Sequence, residues 1–572
     1  MKQNRTLALV LFTLISCGGG GGGGSSSPPV ISQTPTPPTP PPSLSFDELK
    51  TQYEGYYEYQ NQWGLDMVNA SDAYARGATG SGIVIGITDS GIDVEHPEID
   101  AQRISSNSAT CNNGDTCFVG NYQPNTYDLR HGTYVAAVAA GGLNTSSSNG
   151  MHGVAFDAEI LFVAINLGPP PDDYDPIDIG TDDGSGNVTN APDFTGIDNF
   201  FSQLFEIYND FNADVVNNSY GYSGNINDFT EAQVRYAFPN TIEVMSQIGV
   251  PDTEKTIYVW AAGNAGGYAD QGVDFSSPEI LPGMGYYIPE ISGHSIAVVS
   301  VDENGQISSF SNRCGVSQDY CIAAPGSDIT VPYPTSTSDT GIFIGNTNDD
   351  NYNNCITDNS CYARGASGTS FAAPFVSGGL AVIADHFEGQ LGSQEIVSRL
   401  FSTANKKGIY ADKAIYGQGL MDLNAATEPV GQVSAMMSLS LSGPMTPAIF
   451  SNIQLTSPSF GDAITNGIGN HSVIFFDALD APFRRSLSSL VSDYRNQIIN
   501  MDGFGSIQHS ISHSVITDDS EFEIGGLSIE SLSGELVTPY HLLNAKADKN
   551  QFFSYYNYSN DSFLSHGLNG SW

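Results

Sequence analysis

The sequence predicts an α/β fold on a doubly wound parallel sheet with flanking helices, followed by a β-rich C-terminal extension. Two observations carry the α/β expectation. Short β-branched, apolar runs recur through the middle of the chain, and they are continuous rather than alternating, as in strands covered on both faces. Helical stretches lie between them, and this alternation of strand and helix implies parallel pairing. The expected strands are Ile83 to Thr88, Ile160 to Ile165, Val215–Val216 within ADVVNNS, Ile257 to Ala262 and Ile296 to Val301. The expected helices include Gly132 to Ala140, Asp198 to Asp210 and Glu395 to Ala404. In such sheets a site forms outside the carboxyl ends of the strands.

At 572 residues the chain is long enough for two folded units plus tails. Hydrophobic residues make up 40% and aromatics 10%, enough to build a core. Lys and Arg number 19 against 62 Asp and Glu, a formal charge of -43. So acidic a surface repels phosphate backbones, so no nucleic-acid partner is expected, and the excess reads as a solvated exterior suited to salty surroundings.

The amino terminus sets the expected compartment. Lys2 and Arg5 precede a short apolar stretch from Leu7 to Ile15, too short to span a bilayer and suited to a signal peptide over residues 1–17. Leu14-Ile15-Ser16-Cys17 resembles the lipobox of bacterial lipoproteins, which implies that Cys17 carries lipid and anchors the mature chain to a membrane. Gly18, rather than Asp, after that Cys implies sorting to the outer membrane, facing the periplasm or the cell surface. An ordinary secretory signal with an incidental Cys is the competing reading. Residues 18–59 are expected to form a tether: Gly to Gly24 and Ser25 to Ser27 are flexible, and the Pro-rich stretch to Pro42 is stiffer.

The six other cysteines fall into near neighbours: Cys111 with Cys117, Cys314 with Cys321, and Cys355 with Cys361. In an exported chain these favour three local disulfides, with zinc as the alternative.

Three motifs stand in the order Asp, His, Ser. Asp89-Ser90-Gly91 follows the first strand, His131-Gly132-Thr133 opens a helix, and Ser370 lies at a helix amino terminus in GTSFAAP. A rigidly held carboxylate can orient an imidazole, which in turn can activate a hydroxyl. Each motif alone is an ordinary turn or cap. Together they closely resemble the subtilisin (subtilase) family of serine peptidases, in which this order of triad residues is known.

The resemblance runs from about Gln60 to Gly431 and defines an expected peptidase domain over residues 60–431. It implies Asp89, His131 and Ser370 as the triad and protein or peptide substrates. NNSYG resembles the family's substrate-binding edge strand at Ser219 and Gly221. VWAAGNAG places Asn264 as the oxyanion residue and Gly263 beside the substrate. Tyr134 and Ala137 depart from the family pattern at places outside the triad. No cofactor is expected for the chemistry, and no inhibitor-like prodomain is visible. The acidic insert from Asp172 to Asn187 reads as a solvated loop, with structural calcium as the alternative. A non-catalytic adhesin on the same fold and an autotransporter protease truncated at its barrel are the competing functions.

Residues 432–572 change texture, with Ser-rich, Gly-punctuated segments, and are expected to form a separate β-rich extension not needed for the chemistry. They resemble the region after the catalytic domain in autotransporter subtilases. About 140 residues would hold eight spanning strands at most, which favours an accessory β segment over a barrel.

Overall fold

The computed structural model describes residues 44–112, 116–122, 128–147, 150–167, 173–247, 256–333 and 362–437, and further strands and turns at 446–449, 455–456, 472–486, 491–492, 504–516, 520–531, 536–547 and 550–557. The signal segment with Cys17, most of the tether, Asp172, and Cys355 with Cys361 lie outside the described residues.

The central sheet has eight strands. They are β1 (Val84–Asp89), β2 (Ala109–Asn112), β3 (Thr116–Val119), β4 (Glu159–Ala164), β5 (Val215–Asn218), β6 (Ile257–Ala261), β7 (Ser295–Val301) and β8 (Cys321–Pro325). Their spatial order is β8-β7-β6-β5-β1-β4-β2-β3, and every pairing is parallel except the β2–β3 hairpin. The chain starts in the middle at β1, crosses to the β2–β3 hairpin at one edge, fills the gap beside β1 with β4, and then builds β5 to β8 outward on the other side. That reversal places the topological switch point beside β1, where such sheets open a crevice.

Buried strands need apolar residues on both faces, and β7 is buried at all seven positions. The flanking helices α1 (Arg130–Ala140), α3 (Thr369–His386) and α4 (Ser393–Thr403) cover one face, and α2 (Thr195–Asp210) the other. Helix α3 is buried almost all round from Phe371 to Ala384, the pattern of a core helix rather than a surface one.

Two disulfides, Cys111–Cys117 and Cys314–Cys321, close local loops. The first ties β2 to β3, and the second tethers the start of β8.

Three differences from the sequence reading have physical causes. Residues 46–59, assigned to the tether, are largely helical in Phe46–Glu54 and Tyr57–Asn61. Their aromatics hold them down: Tyr53 packs on Tyr74 with ring centroids 5.3 Å apart, and Tyr59 is buried in the main core. Pro374, which its closeness to Ser370 in the sequence places in the first turn where an absent N–H costs nothing, lies instead in the second turn of α3. Lastly, the boundary after Gly431 cuts a packed contact. Phe475, Ala481 and Phe483 of the hairpin 472–486 belong to the main core, and Asp477 pairs with buried Arg399 of α4.

In the acidic insert, Asp182 and Asp183 accept N–H bonds from Gly184, Ser185 and Asn187 of their own turn. Further along, Phe504–Ile516, Ser520–Ser531, Leu536–Ala547 and Asn550–Asn557 pair as a four-stranded antiparallel sheet.

Candidate active site

Asp89 ends β1 at the switch point and is fully buried. Its carboxylate takes the Nδ1 side of His131 at 2.8 and 3.0 Å, and it also accepts the Ser90 N–H at 2.7 Å. His131 stands in the first turn of α1, which lies so close to the β1 exit that a Cβ on Gly132 would fall 2.2 Å from the Gly91 carbonyl oxygen. Glycine after the histidine is thus a condition of the approach. The imidazole keeps 36% of its side-chain surface open to the cleft. Loss of hydration pulls its pKa down, but the Asp89 charge, the Asp89 hydrogen bond and the Asp128 charge outweigh that and raise it above 6.5.

Ser370 is the second residue of α3, and the next residue, Phe371, packs its ring 5.9 Å from the His131 ring. The helix start therefore lies near the imidazole. The Ser370 hydroxyl donates to the Ser219 carbonyl at 3.2 Å, and the Ser219 hydroxyl donates back to the Ser370 carbonyl at 2.8 Å. That second bond explains Pro374. A residue with an N–H at that position would donate to the Ser370 carbonyl one turn back; proline cannot, so the carbonyl is left to Ser219. Ser219 is steadied in turn, because Ser377 of α3 donates to Asn217 at 3.0 Å and Asn217 donates to the Ser219 hydroxyl at 2.8 Å.

Asn264 follows β6 and is exposed in the cleft. Its Oδ1 accepts from the Thr369 N–H at 2.9 Å and the Thr369 hydroxyl at 3.1 Å. With the oxygen held, Nδ2 is turned outward as a donor. Gly263 has φ +112°, in the range that favours glycine, and donates its N–H to Thr369 Oγ1 at 3.2 Å. The structure thus brings Asp89, His131, Ser370, Asn264, Ser219 and Gly263 to the carboxyl ends of β1, β5 and β6. Gly221 lies two residues beyond Ser219 and is exposed.

Sequence reasoning missed Asn217 and Ser377, whose part appears only when α3 lies on β5. It also missed Glu279, which reaches both Gly221 and Gly263. Nothing in SSPEILPG distinguishes that glutamate from a surface one.

A buried carboxylate on an imidazole, a hydroxyl at a helix start and an exposed amide, on a doubly wound sheet, are the kinds of group that serine hydrolases use. Residues 80–419 match the subtilase family, peptidase family S8, and the chain belongs to that family. It is 29% identical over 386 residues to an extracellular serine protease of Serratia marcescens, an alignment covering 64% of this chain and 34% of that protein. Subtilisin DY of Bacillus licheniformis is 25% identical, over 64% of this chain and 98% of the relative. Among solved structures, MycP1 of the ESX-1 type VII secretion system is similar at 22% identity and a TM-score of 0.41, covering 64% of this chain and 86% of that one. The chain spans about a third of the length of the Serratia proteins it matches.

Proposed function

We propose that the protein is an exported, lipid-anchored serine endopeptidase of the bacterial cell envelope that hydrolyses protein or peptide substrates through an acyl-enzyme. The observation that carries this reading is the buried Asp89 on His131, set against the start of α3 at Ser370. In the proposed cycle the Ser370 hydroxyl turns from the Ser219 carbonyl toward His131. Its Oγ bonds to the substrate carbonyl carbon while the imidazole takes its proton. The Asn264 amide and the Ser370 N–H hold the oxyanion, His131 passes the proton to the leaving amine as the C–N bond breaks, and water then releases the acyl group. A fluorophosphonate is expected to label Ser370. An unlabelled but folded protein would favour the non-catalytic binding module.

The base must be neutral to act, so activity is expected to rise with pH through a midpoint above 6.5, in line with the raised His131 pKa. Asp89→Asn removes the charge that raises it, so the limb should move to lower pH while turnover falls by about 10⁴. A limb that stays in place in a pH–rate profile of kcat/KM refutes the pairing.

Anchoring rests on Cys17 and its lipobox. Cys17→Ser is expected to move the protein from the membrane to the soluble fraction. Wild type found soluble, with no acyl mass at its amino terminus, removes the anchor. The relatives named as extracellular proteases support export.

The proposed chemistry needs no cofactor, and calcium enters only as a structural ion. Among the described residues no three His, Cys, Asp or Glu side chains gather for a metal. The acidic insert, on which the calcium expectation falls, uses Asp182 and Asp183 within its own turn, and a buried carboxyl pair lies elsewhere at Glu58 and Glu98. Burial pushes Glu58 up to about 7, burial and the Glu58 charge raise Glu98, and Glu98 Oε1 is buried without a hydrogen-bond partner. Stability should therefore fall as pH rises from 4.5 toward 7, because the unfolded carboxyls ionise first. Melting temperatures near pH 8 that are equal with calcium and with chelator exclude the ion.

A further inference from the structure

Glu279 occupies the gap between the two strand exits that flank the reacting centre. Its N–H bonds to the Ala262 carbonyl at 2.9 Å, which fixes the residue beside Gly263. The carboxyl group then lies between two glycines. A Cβ on Gly263 would sit 2.5 Å from Glu279 Cδ, and one on Gly221 would sit 3.5 Å from Oε2. A side chain on Gly263 would collide with this carboxyl group, whereas one on Gly221 would only touch it.

No hydrogen bond or ion pair among the described residues engages the Glu279 carboxyl, and burial alone pushes its pKa up to about 8. The charges nearby are also negative, since Tyr174 feels Glu279, Asp228 and Asp274 together. Arg313, whose N–H bonds Phe275 in the same loop, is already used: its guanidinium donates to the Ser308 and Ser311 carbonyls and stacks on the Phe275 ring at 4.9 Å. Glu279 is half-buried; a carboxyl so placed with no cation of its own is harder to ionise than one in water, and a cation supplied from outside repays that cost.

The substrate residue whose carbonyl reaches Asn264 and Ser370 must pass its side chain beside Gly263, the neighbour of Asn264. We propose that Glu279 closes the pocket for that side chain and selects Lys or Arg on the acyl side of the scissile bond. This rests on the peptidase reading above. The ammonium or guanidinium would pair with the carboxylate, and the two side-chain-free walls would admit the long aliphatic stem.

The test uses the full chain and a set of tripeptide anilides that differ only in the residue before the amide: Arg, Lys, Leu, Phe or Glu. With fluorophosphonate labelling to count competent sites, kcat/KM at pH 8.5 is expected to be highest for Arg and Lys and lowest for Glu. Glu279→Gln is expected to lower the Arg-to-Leu ratio of kcat/KM by about 30-fold or more, since one partner of a buried charge pair is lost. A wild-type protein that labels and cleaves but prefers Leu or Phe overturns the proposal, whatever the variant does. So does a labelled Glu279→Gln protein with an unchanged ratio. If the wild type neither labels nor cleaves, the peptidase reading itself falls and takes this proposal with it.

Discussion

Ser370→Ala is expected to abolish peptide hydrolysis and fluorophosphonate labelling while leaving the fold intact. The expected loss in turnover is about 10⁶, the size known for subtilisin itself when its nucleophile is removed. What remains should be a residual acceleration of about 10³–10⁴ over water, from the Asn264 amide and substrate binding. The fold should survive because the change deletes one hydroxyl bond, to the Ser219 carbonyl, at a side chain that is only partly buried. Such a bond contributes on the order of 1 kcal/mol. The Ser219 hydroxyl bond to the Ser370 carbonyl is a main-chain contact and persists. His131→Ala should cost about as much, and the double variant little more, because the two groups act as one unit. Near-normal hydrolysis by the folded Ser370→Ala protein would remove the triad assignment altogether.

Asp89, His131 and Ser370 stand out in the sequence because the chemistry proposed for them restricts it to a few residue types at strand and helix ends. The sheet was legible where its strands are covered on both faces: IVIGIT, IYVWA and IAVVSV announce themselves by continuous apolarity. Strand β8, Cys321–Pro325, was not, because CIAAP is short, rich in alanine and ends in proline. The β2–β3 hairpin was hidden by polar residues, its pairing reinforced by a disulfide rather than by apolar area. The tertiary partners were illegible in principle. Glu279 against Gly263, Ser377 against Asn217 and Asp477 against Arg399 join residues 16, 160 and 78 positions apart, and no local pattern marks any of them.

The Arg399–Asp477 pair carries the largest expected effect on stability. Arg399 and Asp477 are 2% and 0% exposed, with Nη1 and Oδ2 2.8 Å apart. The arginine also donates to the Ala426 and Glu428 carbonyls and stacks over Phe387 and Phe483 at 4.8 and 5.1 Å. Asp477 accepts three further N–H bonds, from Val430, Leu479 and Ala481, so one carboxylate ties the hairpin 472–486 both to itself and to the chain near Gly431. Asp477→Ala leaves a guanidinium buried without a counter-charge, which costs about 3–5 kcal/mol. The melting temperature is expected to fall by roughly 3–6 °C. Replacing both charges, as in Arg399→Met with Asp477→Leu, should recover much of that loss, since the cost lies in the unpaired charge rather than in the missing pair. A chain ending at Gly431 removes Asp477, Phe475 and Phe483 at once and should be less stable than Asp477→Ala. One ending just after the hairpin, at Ser486, is expected to keep the triad-dependent hydrolysis. An Asp477→Ala protein that melts within 2 °C of wild type would separate the hairpin from the peptidase core and restore the boundary at residue 431.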